Sequence, residues 1–435
     1  MFYHIQTHGC QMNENDSENL AGQLHELGYQ NTTDIETADC IVINTCCIRE
    51  SAEKKIHGKI GELKRLKKER PSLINIITGC MAQKNADNLL KKYAHIDIVL
   101  GPQNIEYLSD ALVAAQNGER INHTSTEIRR FTQNHEPARF DKTAAYVPIM
   151  HGCNNFCSYC IVPYVRGREI SRSSSEILDE IRSIITNGYK EIVLLGQNVN
   201  SYGKESVNEM SFAQLLAAID NIPGIDRLRY MTSHPRDMSG EVIDVIANSH
   251  SITKHFHLPA QAGNDEILRL MNRGYTAAEY LNLIKKIRDV VPDATITTDI
   301  IVGFPGETEE MFNDTLKLMR AAEFDLAYTF IYSQRSGTPA ASMPNQIALP
   351  EKKRRLQQLM AVQNEISLKK NRDCVGNNEL VSVEGPSKKD ASVWTGRTSG
   401  NKIVHWTYQG TEQVGSTINV KITAAQTWLL RGELI

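Results

Sequence analysis

No run of about 18 apolar residues occurs in this chain of 435 residues, so no membrane-spanning helix is expected. Excess positive charge is missing too. Lys and Arg total 48 against 51 Asp and Glu, a formal net charge of −3, so no global field attracts nucleic acid and any RNA contact must come from local basic patches. The opening residues, Met1-Phe2-Tyr3-His4-Ile5-Gln6, lack a basic stretch followed by an apolar one and do not read as a signal peptide. A cytoplasmic protein with no membrane partner is therefore expected. In that compartment the nine cysteines are poor candidates for structural disulfides and better ones for metal ligands. Long internal repeats and low-complexity tracts are also lacking. What remains is an ordinary globular composition, 41% apolar and 23% charged, at a length suited to roughly two to four domains.

The first part alternates strand and helix signals: extended Phe2–Thr7, helical Glu18–Leu27, apolar Cys40–Asn44, a charged helix Glu50–Arg70, apolar Leu73–Thr78, a helix near Asn85–Tyr93, then Ile96–Leu100 and Asp110–Ala115. This order predicts an open parallel α/β sheet domain over 1–117. Polar, aperiodic sequence around Thr124–Thr143 predicts a linker, placed at 118–138. A second alternation follows, with strands near Tyr146–Met150, Glu191–Leu195, Leu228–Thr232, His255–Leu258, Thr295–Val302 and Ala327–Tyr332, and helices between them. Six such units over 139–373 fit a partial (β/α)6 barrel. Short strands at Leu380–Glu384, Lys402–Trp406 and Thr417–Ile422 suggest a small OB-like β-barrel over 374–435.

Directly after the first barrel strand comes His151-Gly152-Cys153-Asn154-Asn155-Phe156-Cys157-Ser158-Tyr159-Cys160, with cysteines spaced CxxxCxxC. Three thiolates on one short loop suit three irons of a 4Fe-4S cluster and leave the fourth iron open. Structural zinc sites use two CxxC pairs instead. Polar residues stand where barrel chemistry is expected, at strand C-termini: Gln197 and Asn198, Ser233 and His234, Gln261, and Asp299. Each alone suits a loop or capping position, but together they mark one end of the barrel. Arg273 is either a bidentate carboxylate donor or a surface arginine after a helix, and the residues leave both open.

Cys10, Cys46 and Cys80 each follow a strand of the first domain, in THGC, NTC and TGC. Carboxyl ends of parallel strands share one edge, so these three should converge and could hold a second 4Fe-4S cluster. Cys46 and Cys47 are adjacent and spacing cannot choose between them. Cys40 begins its strand and Cys374 lies past the last long helix, so both are expected to be structural thiols.

The barrel motif, with Tyr159 as the aromatic before the third cysteine, resembles the radical S-adenosylmethionine superfamily. The two cysteine sets together resemble its methylthiotransferase family along nearly the whole chain. Thr7–Asn13 with Asp16-Ser17-Glu18, Asn44-Thr45-Cys46 and Gly79-Cys80 match the opening motifs, which assigns the ligand to Cys46. Cys160–Pro163, Arg166–Glu169, Ser171-Arg172, Gly303–Thr308 and Arg335–Ala340 match later ones, and the C-terminal module resembles a TRAM domain. At Ala260, Ala262 and Asn264 the family more often has Val, Ser and Ser.

The resemblance implies two 4Fe-4S clusters, on Cys153/Cys157/Cys160 and Cys10/Cys46/Cys80. It implies S-adenosylmethionine cleaved to a 5′-deoxyadenosyl radical, and sulfur presented by the second cluster. Thr232–Pro235 and Gly396-Arg397-Thr398 with Asn401-Lys402 resemble the branch whose substrate is tRNA carrying N(6)-dimethylallyladenosine at position 37. The same chemistry on threonylcarbamoyladenosine or a ribosomal-protein aspartate is the rival within the class, and a redox-sensing RNA-binding protein is the rival outside it. An electron-donor protein, a sulfur source and a monomeric state are further expectations. RNA contact is expected from Arg397 and Lys402, beside Trp394 and Trp406. The run Lys352, Lys353, Arg354, Arg355 is either a second patch or a solvated helix face.

Overall fold

The computed structural model describes residues 1–46, 50–125, 135–141 and 143–435, with the side chains of residues 50–55 also outside the description. The chain forms two compact units. The first comprises Met1–Phe140 with Met150–Asn154 and Ile161–Arg172, and the second comprises Asp141–Ile149, Asn155–Cys160 and Ser173–Ile435.

The first unit is built on a six-stranded, all-parallel sheet in the order Gln30–Asn31, Phe2–Thr7, Cys40–Thr45, Ile74–Gly79, Ile98–Leu100, Ile121–His123. Its central strands, Cys40–Thr45 and Ile74–Gly79, are buried at every position, as a parallel sheet covered on both faces requires. Alternation sorts their side chains. Ile41, Ile43 and Ile77 pack with the helices Glu50–Glu69 and Cys80–Lys92, while Cys40, Val42 and Ile76 pack with Gln11–Glu26 and Leu108–Gln116. Cys40 thus fills core, as expected of it. Three differences from expectation stand out. The first helix starts at Gln11 rather than near Glu18, the third begins at Cys80 itself rather than near Asn85, and residues 121–123 of the expected linker form an edge strand. Residues 126–134 of that linker lie outside the described residues.

The second unit carries the six expected barrel strands as two three-stranded parallel sheets. One runs Arg227–Tyr230, Glu191–Leu195, Ala144–Pro148; the other runs His255–His257, Thr295–Val302, Leu326–Ile331. Helices return the chain between strands, and their starts are fixed by local chemistry. Ser211 with Gln214 and Thr276 with Glu279 form capping boxes, and Ser239, Asn264 and Thr308 cap three others.

The C-terminal residues close into a five-stranded barrel, Asn378–Pro386, Val393–Thr398, Ile403–Thr407, Leu430–Leu434 and Thr417–Ala425. Its core is Val381, Val383, Val404, Trp406, Val420, Ile422 and Leu430. The sequence pattern had suggested only three of these strands. The barrel is tied into the same unit by polar anchors. Arg227 donates to the carbonyls of Arg397 (3.0 Å) and Thr398 (2.6 Å), and Arg229 to Asn401 Oδ1 (3.1 Å). Asn371 donates to Gln426 O (2.9 Å). Cys374, at the junction, is half-buried and its Sγ donates to Lys370 O.

Candidate metal centres

In the first unit the three strand-end motifs hold one another. Thr7 pairs in register with Asn44, and Thr45 with Gly79. Asn13, one turn into the first helix, donates from Nδ2 to Asn44 Oδ1 (2.9 Å) and Thr45 O (3.3 Å). Asn44 answers from Nδ2 to Asn13 O (2.8 Å) and Ser17 Oγ (3.0 Å). Every partner in this lattice is buried, which is why a polar stretch can sit against the sheet edge without loss. Gly79 adopts φ +90, and a Cβ there would lie 2.3 Å from Thr45 O and 2.4 Å from Asn44 Oδ1, so only glycine lets the strands approach this closely.

The cysteines inherit these positions. Cys10 caps the first helix in extended conformation and its Sγ donates to Asn13 Oδ1 (3.4 Å). Cys46 and Cys80 are buried and leave neighbouring register positions of adjacent strands. Cys47 lies outside the described residues. Arg166 reaches the same edge. Its Nε donates to Cys80 Sγ (3.4 Å) and its Nη2 to Asp16 Oδ2 (2.6 Å), while Nη1 is buried with no partner among the described residues. Burial opposes the charge on Arg166, yet Asp16, Cys80 and Cys10 around it raise its pKa well above the usual arginine value. A buried guanidinium beside the Cys80 thiol and within the field of Cys10, with one donor idle among the described residues, fits an anionic iron–sulfur group in that position.

The CxxxCxxC loop is pinned along its length. Gly152 takes φ +77 where a Cβ would meet Arg168 O at 1.9 Å, and Cys153 N donates to Gly167 O (3.1 Å). In the second unit, Ser158 donates from N to Met271 O (3.1 Å) and from Oγ to Leu270 O (2.7 Å), and its carbonyl accepts from Ala340 N (2.8 Å). The RSGTPA segment therefore fastens the cysteine loop. Asn272 Nδ2 donates to the carbonyls of Asn155 (3.0 Å) and Phe156 (3.1 Å). Arg273 is not a surface arginine. It is buried and donates from Nη1 to Cys157 Sγ (3.2 Å) and Tyr159 Oη (3.4 Å), from Nη2 to Pro259 O (2.7 Å) and from Nε to Tyr275 Oη (3.0 Å).

Of the remaining barrel residues, Asn198 donates to Asp237 Oδ2 (2.8 Å), and among the described residues its Oδ1 and the Oε1 of Gln261, a residue at φ +72, are buried without a partner. These acceptors suit a ligand rich in N–H and O–H groups. Ser233 Oγ donates to His257 O, and Gln197 is half-buried. His234 is buried and held neutral, its pKa lowered by burial and by Arg273. Asp299 sits inside its strand rather than at the end, opposite Tyr328 in register and 3.7 Å from His257 Nε2. Among the described residues, no three His, Cys, Asp or Glu side chains could enclose one metal ion. A cubane cluster needs its thiols spread wider, since each cysteine takes a different iron.

The expected RNA contacts divide. Arg397 is partly exposed and paired with Glu384 (2.6 Å). Lys402 is turned inward, 2.9 Å from Asp325 Oδ1 and 3.0 Å from Asn371 Oδ1. Trp406 is core, donating to Glu412 Oε1 (2.9 Å), whereas Trp394 stacks on Tyr408 at 4.4 Å and Trp428 is exposed; Tyr408 and Trp428 carry no motif that marks them in the sequence. In the basic run, Lys352 donates to Tyr332 O (2.9 Å), Arg355 to Glu307 Oε2 (2.7 Å) and Arg354 to Glu351 and Glu309; only Lys353 is exposed. That run is a packing seam rather than a solvated face. Among the described residues no helix is long and apolar enough to cross a membrane.

Residues 2–101 match the family described as Uncharacterized protein family UPF0004, residues 147–319 the Radical SAM superfamily, and residues 372–435 the TRAM domain. The chain is 48% identical over 437 residues to a tRNA-2-methylthio-N(6)-dimethylallyladenosine synthase of Carboxydothermus hydrogenoformans, covering 100% of this chain and 99% of that one. It is 46% identical over 439 residues to one of Acetivibrio thermocellus, covering 100% and 91%. Among solved structures it is similar to the radical S-adenosylmethionine methyltransferase TsrM of Kitasatospora setae, at TM-score 0.58 and 15% identity over 78% of this chain and 74% of that one. It is also similar to the cobalamin-dependent radical enzyme OxsB, at TM-score 0.52 and 12% identity over 83% and 56%. At such low identity the likeness is one of fold.

Proposed function

The chain belongs to the tRNA-2-methylthio-N(6)-dimethylallyladenosine synthases of the radical S-adenosylmethionine methylthiotransferase family, and from that membership we propose how its residues divide the work. The enzyme converts N(6)-dimethylallyladenosine at position 37 of tRNA to its 2-methylthio derivative, using a 4Fe-4S cluster and S-adenosylmethionine. Residues 1–117 carry a second cluster, residues 139–373 the radical centre and residues 374–435 the RNA module. Carbon 2 of the base has no acidic proton, so side-chain acids and bases have little purchase there. When bound, the clusters and S-adenosylmethionine supply the radical and the sulfur.

The observation that supports this best is the convergence of the strand-end motifs at one sheet edge around Arg166. It argues for a second cluster, on Cys10, Cys46 and Cys80, beside the one on Cys153, Cys157 and Cys160. Arg273 orients the Cys157 thiolate through a charge-assisted hydrogen bond. The unpartnered oxygens of Asn198 and Gln261, with Gln197, Ser233 and Asp299, form the S-adenosylmethionine site. Arg397 with the Trp394–Tyr408 stack meets the RNA, while Lys402 serves as an anchor. An electron-donor protein, a sulfur source, a cytoplasmic setting and a monomeric state complete the reading.

Serine at Cys153, Cys157 or Cys160 should abolish reductive cleavage of S-adenosylmethionine. Serine at Cys10, Cys46 or Cys80 should preserve cleavage but stop methylthio transfer, read by mass spectrometry of tRNA nucleosides. Cleavage surviving the first set with full iron content would refute the radical assignment, and transfer surviving the second would refute the second cluster.

A further inference from the structure

The strands His255–His257, Thr295–Val302 and Leu326–Ile331 present two unlike faces. On one, Ile296, Thr298, Ile300 and Val302 are fully buried. On the other, register sets Thr297 opposite Leu326, Asp299 opposite Tyr328 and Ile301 opposite Phe330. Exposure on that face is high at the edge strand. The Asp299 side chain is 29% exposed, Phe330 36% and Tyr328 48%. Tyr328 and Phe330 share one side of their strand, with their roots roughly 7 Å apart, so they form one aromatic patch rather than two scattered rings. His257 meets the Tyr328 ring edge-on at 5.9 Å and is itself bonded to Thr297 Oγ1 (3.0 Å), which steadies the tyrosine.

This face leads to the residues assigned to the cofactor. Ile301 packs with Met271 and Ala340, which fasten the cysteine loop. Gln261 runs along the same strand, donating from N to Asp299 O (2.8 Å) and accepting at O from Ile301 N (2.9 Å). A group lying on Tyr328 and Phe330 is therefore two strand spacings, roughly 10 Å, from Gln261. The chemistry of the patch selects its occupant. Two rings offer stacking area, Leu326 and Ile301 add aliphatic surface, and the three strands contain no Lys or Arg. An anionic group would meet Asp299 and find no cation on these strands. A planar, uncharged base with an apolar arm fits. We propose that Tyr328 and Phe330 are specificity-determining residues, a shelf that takes the adenine at position 37 with its dimethylallyl arm. The same shelf turns away a base whose N(6) group ends in a carboxylate, as in threonylcarbamoyladenosine. The assignment rests on the reading of dimethylallyl tRNA as the substrate.

The test uses full-length, reconstituted holoenzyme at equal iron content. Its ligands are anticodon stem-loop RNAs of one sequence that carry dimethylallyladenosine, adenosine or threonylcarbamoyladenosine at position 37. Affinity is read by competition fluorescence anisotropy, and methylthio transfer by mass spectrometry of the nucleosides. Wild type should bind the dimethylallyl RNA most tightly. The double variant Tyr328→Ala, Phe330→Ala should cut the advantage of that RNA over the adenosine RNA by about 10-fold, the effect of returning roughly two methylene groups to water. The ratio is the deciding quantity, because a merely structural defect weakens all three RNAs alike. A ratio left at the wild-type value, whether or not the absolute affinities fall, overturns the proposal. So does a wild type that binds the dimethylallyl and adenosine RNAs equally. If the double variant does not fold, Tyr328→Ala alone, at a half-exposed ring, decides by the same ratio. A wild type that methylthiolates the threonylcarbamoyl RNA and leaves the dimethylallyl RNA unchanged refutes the substrate reading itself, and the shelf with it.

Discussion

Lys402→Met separates two jobs for one lysine. Its Nζ lies 2.9 Å from Asp325 Oδ1 and 3.0 Å from Asn371 Oδ1, with the Lys402 and Asp325 side chains 16% and 8% exposed. The other Asp325 oxygen accepts from Ile296 N (2.9 Å), so the carboxylate cannot swing to water. Methionine keeps the apolar stem and removes the charge, leaving Asp325 without its cation. Breaking a fully buried pair costs about 3–5 kcal/mol; residual exposure of Lys402 trims the expected loss to about 2–3 kcal/mol. Asp325→Asn should cost a similar amount, and the double variant less than the sum, by about 1–2 kcal/mol. The assay is convenient, because all three tryptophans, Trp394, Trp406 and Trp428, lie in the C-terminal barrel and their fluorescence reports its unfolding in urea. The salt dependence of tRNA binding should be unchanged. An unaltered unfolding midpoint, with a log K against log salt slope shallower by about 0.7–0.9, would make Lys402 a phosphate contact and refute the anchor.

Two other perturbations test the site and the barrel. Gly79→Ala drives a methyl against Thr45 O and Asn44 Oδ1 from a left-handed backbone, and should destabilise the first unit by about 3–5 kcal/mol. It should lower bound iron by one cluster while S-adenosylmethionine cleavage persists; full iron content would contradict the close-approach argument. His255 is buried against Thr297 Oγ1 (2.8 Å), and burial, reinforced by His257 and Arg229, pushes its pKa down to about 3. It is neutral in the fold, so below about pH 6.5 the unfolded chain binds a proton that the folded one refuses. Stability should fall with pH over that range by up to about 1.4 kcal/mol per pH unit. His255→Gln should flatten the dependence by one proton, and an identical slope in denaturant unfolding at pH 5.5 and 7 would exclude His255 as its source.

The strands of both parallel systems were legible because Ile, Val and Leu crowd into runs that only a doubly covered sheet can use. The first helix was misjudged because its buried face is polar. Asn13, Asn15, Asp16, Ser17 and Glu18 are all buried, so no apolar period announces them. The strands Val393–Thr398 and Leu430–Leu434 mix Gly and Arg into short segments, and a closed barrel supplies the burial that the segments do not advertise. Cysteine positions were legible from spacing and strand ends. The partners of Arg166, Arg273 and Lys402 were not, because they come from residues as far as 150 positions away, as with Arg166 and Asp16. The branch motif Gly396-Arg397-Thr398 with Asn401-Lys402 was noticed for RNA, yet much of it docks the barrel through Arg227, Arg229 and Asp325.

The two cysteine sets also differ in when they can exist. Cys153, Cys157 and Cys160 are neighbours in the chain, and a short loop closes over them at small entropic cost even in a loosely folded chain. Cys10, Cys46 and Cys80 meet only after Phe2–Thr7 has found Cys40–Thr45 and that strand has found Ile74–Gly79, pairings that each enclose an intervening helix. Such non-local parallel pairing is the slow part of folding. During biosynthesis, iron arriving early meets one site already gathered and another still scattered along the polypeptide. If Cys10, Cys46 and Cys80 hold the proposed second cluster, that centre is a product of completed folding, and a chain that stalls before its sheet is assembled would emerge carrying at most the cluster proposed for the local loop.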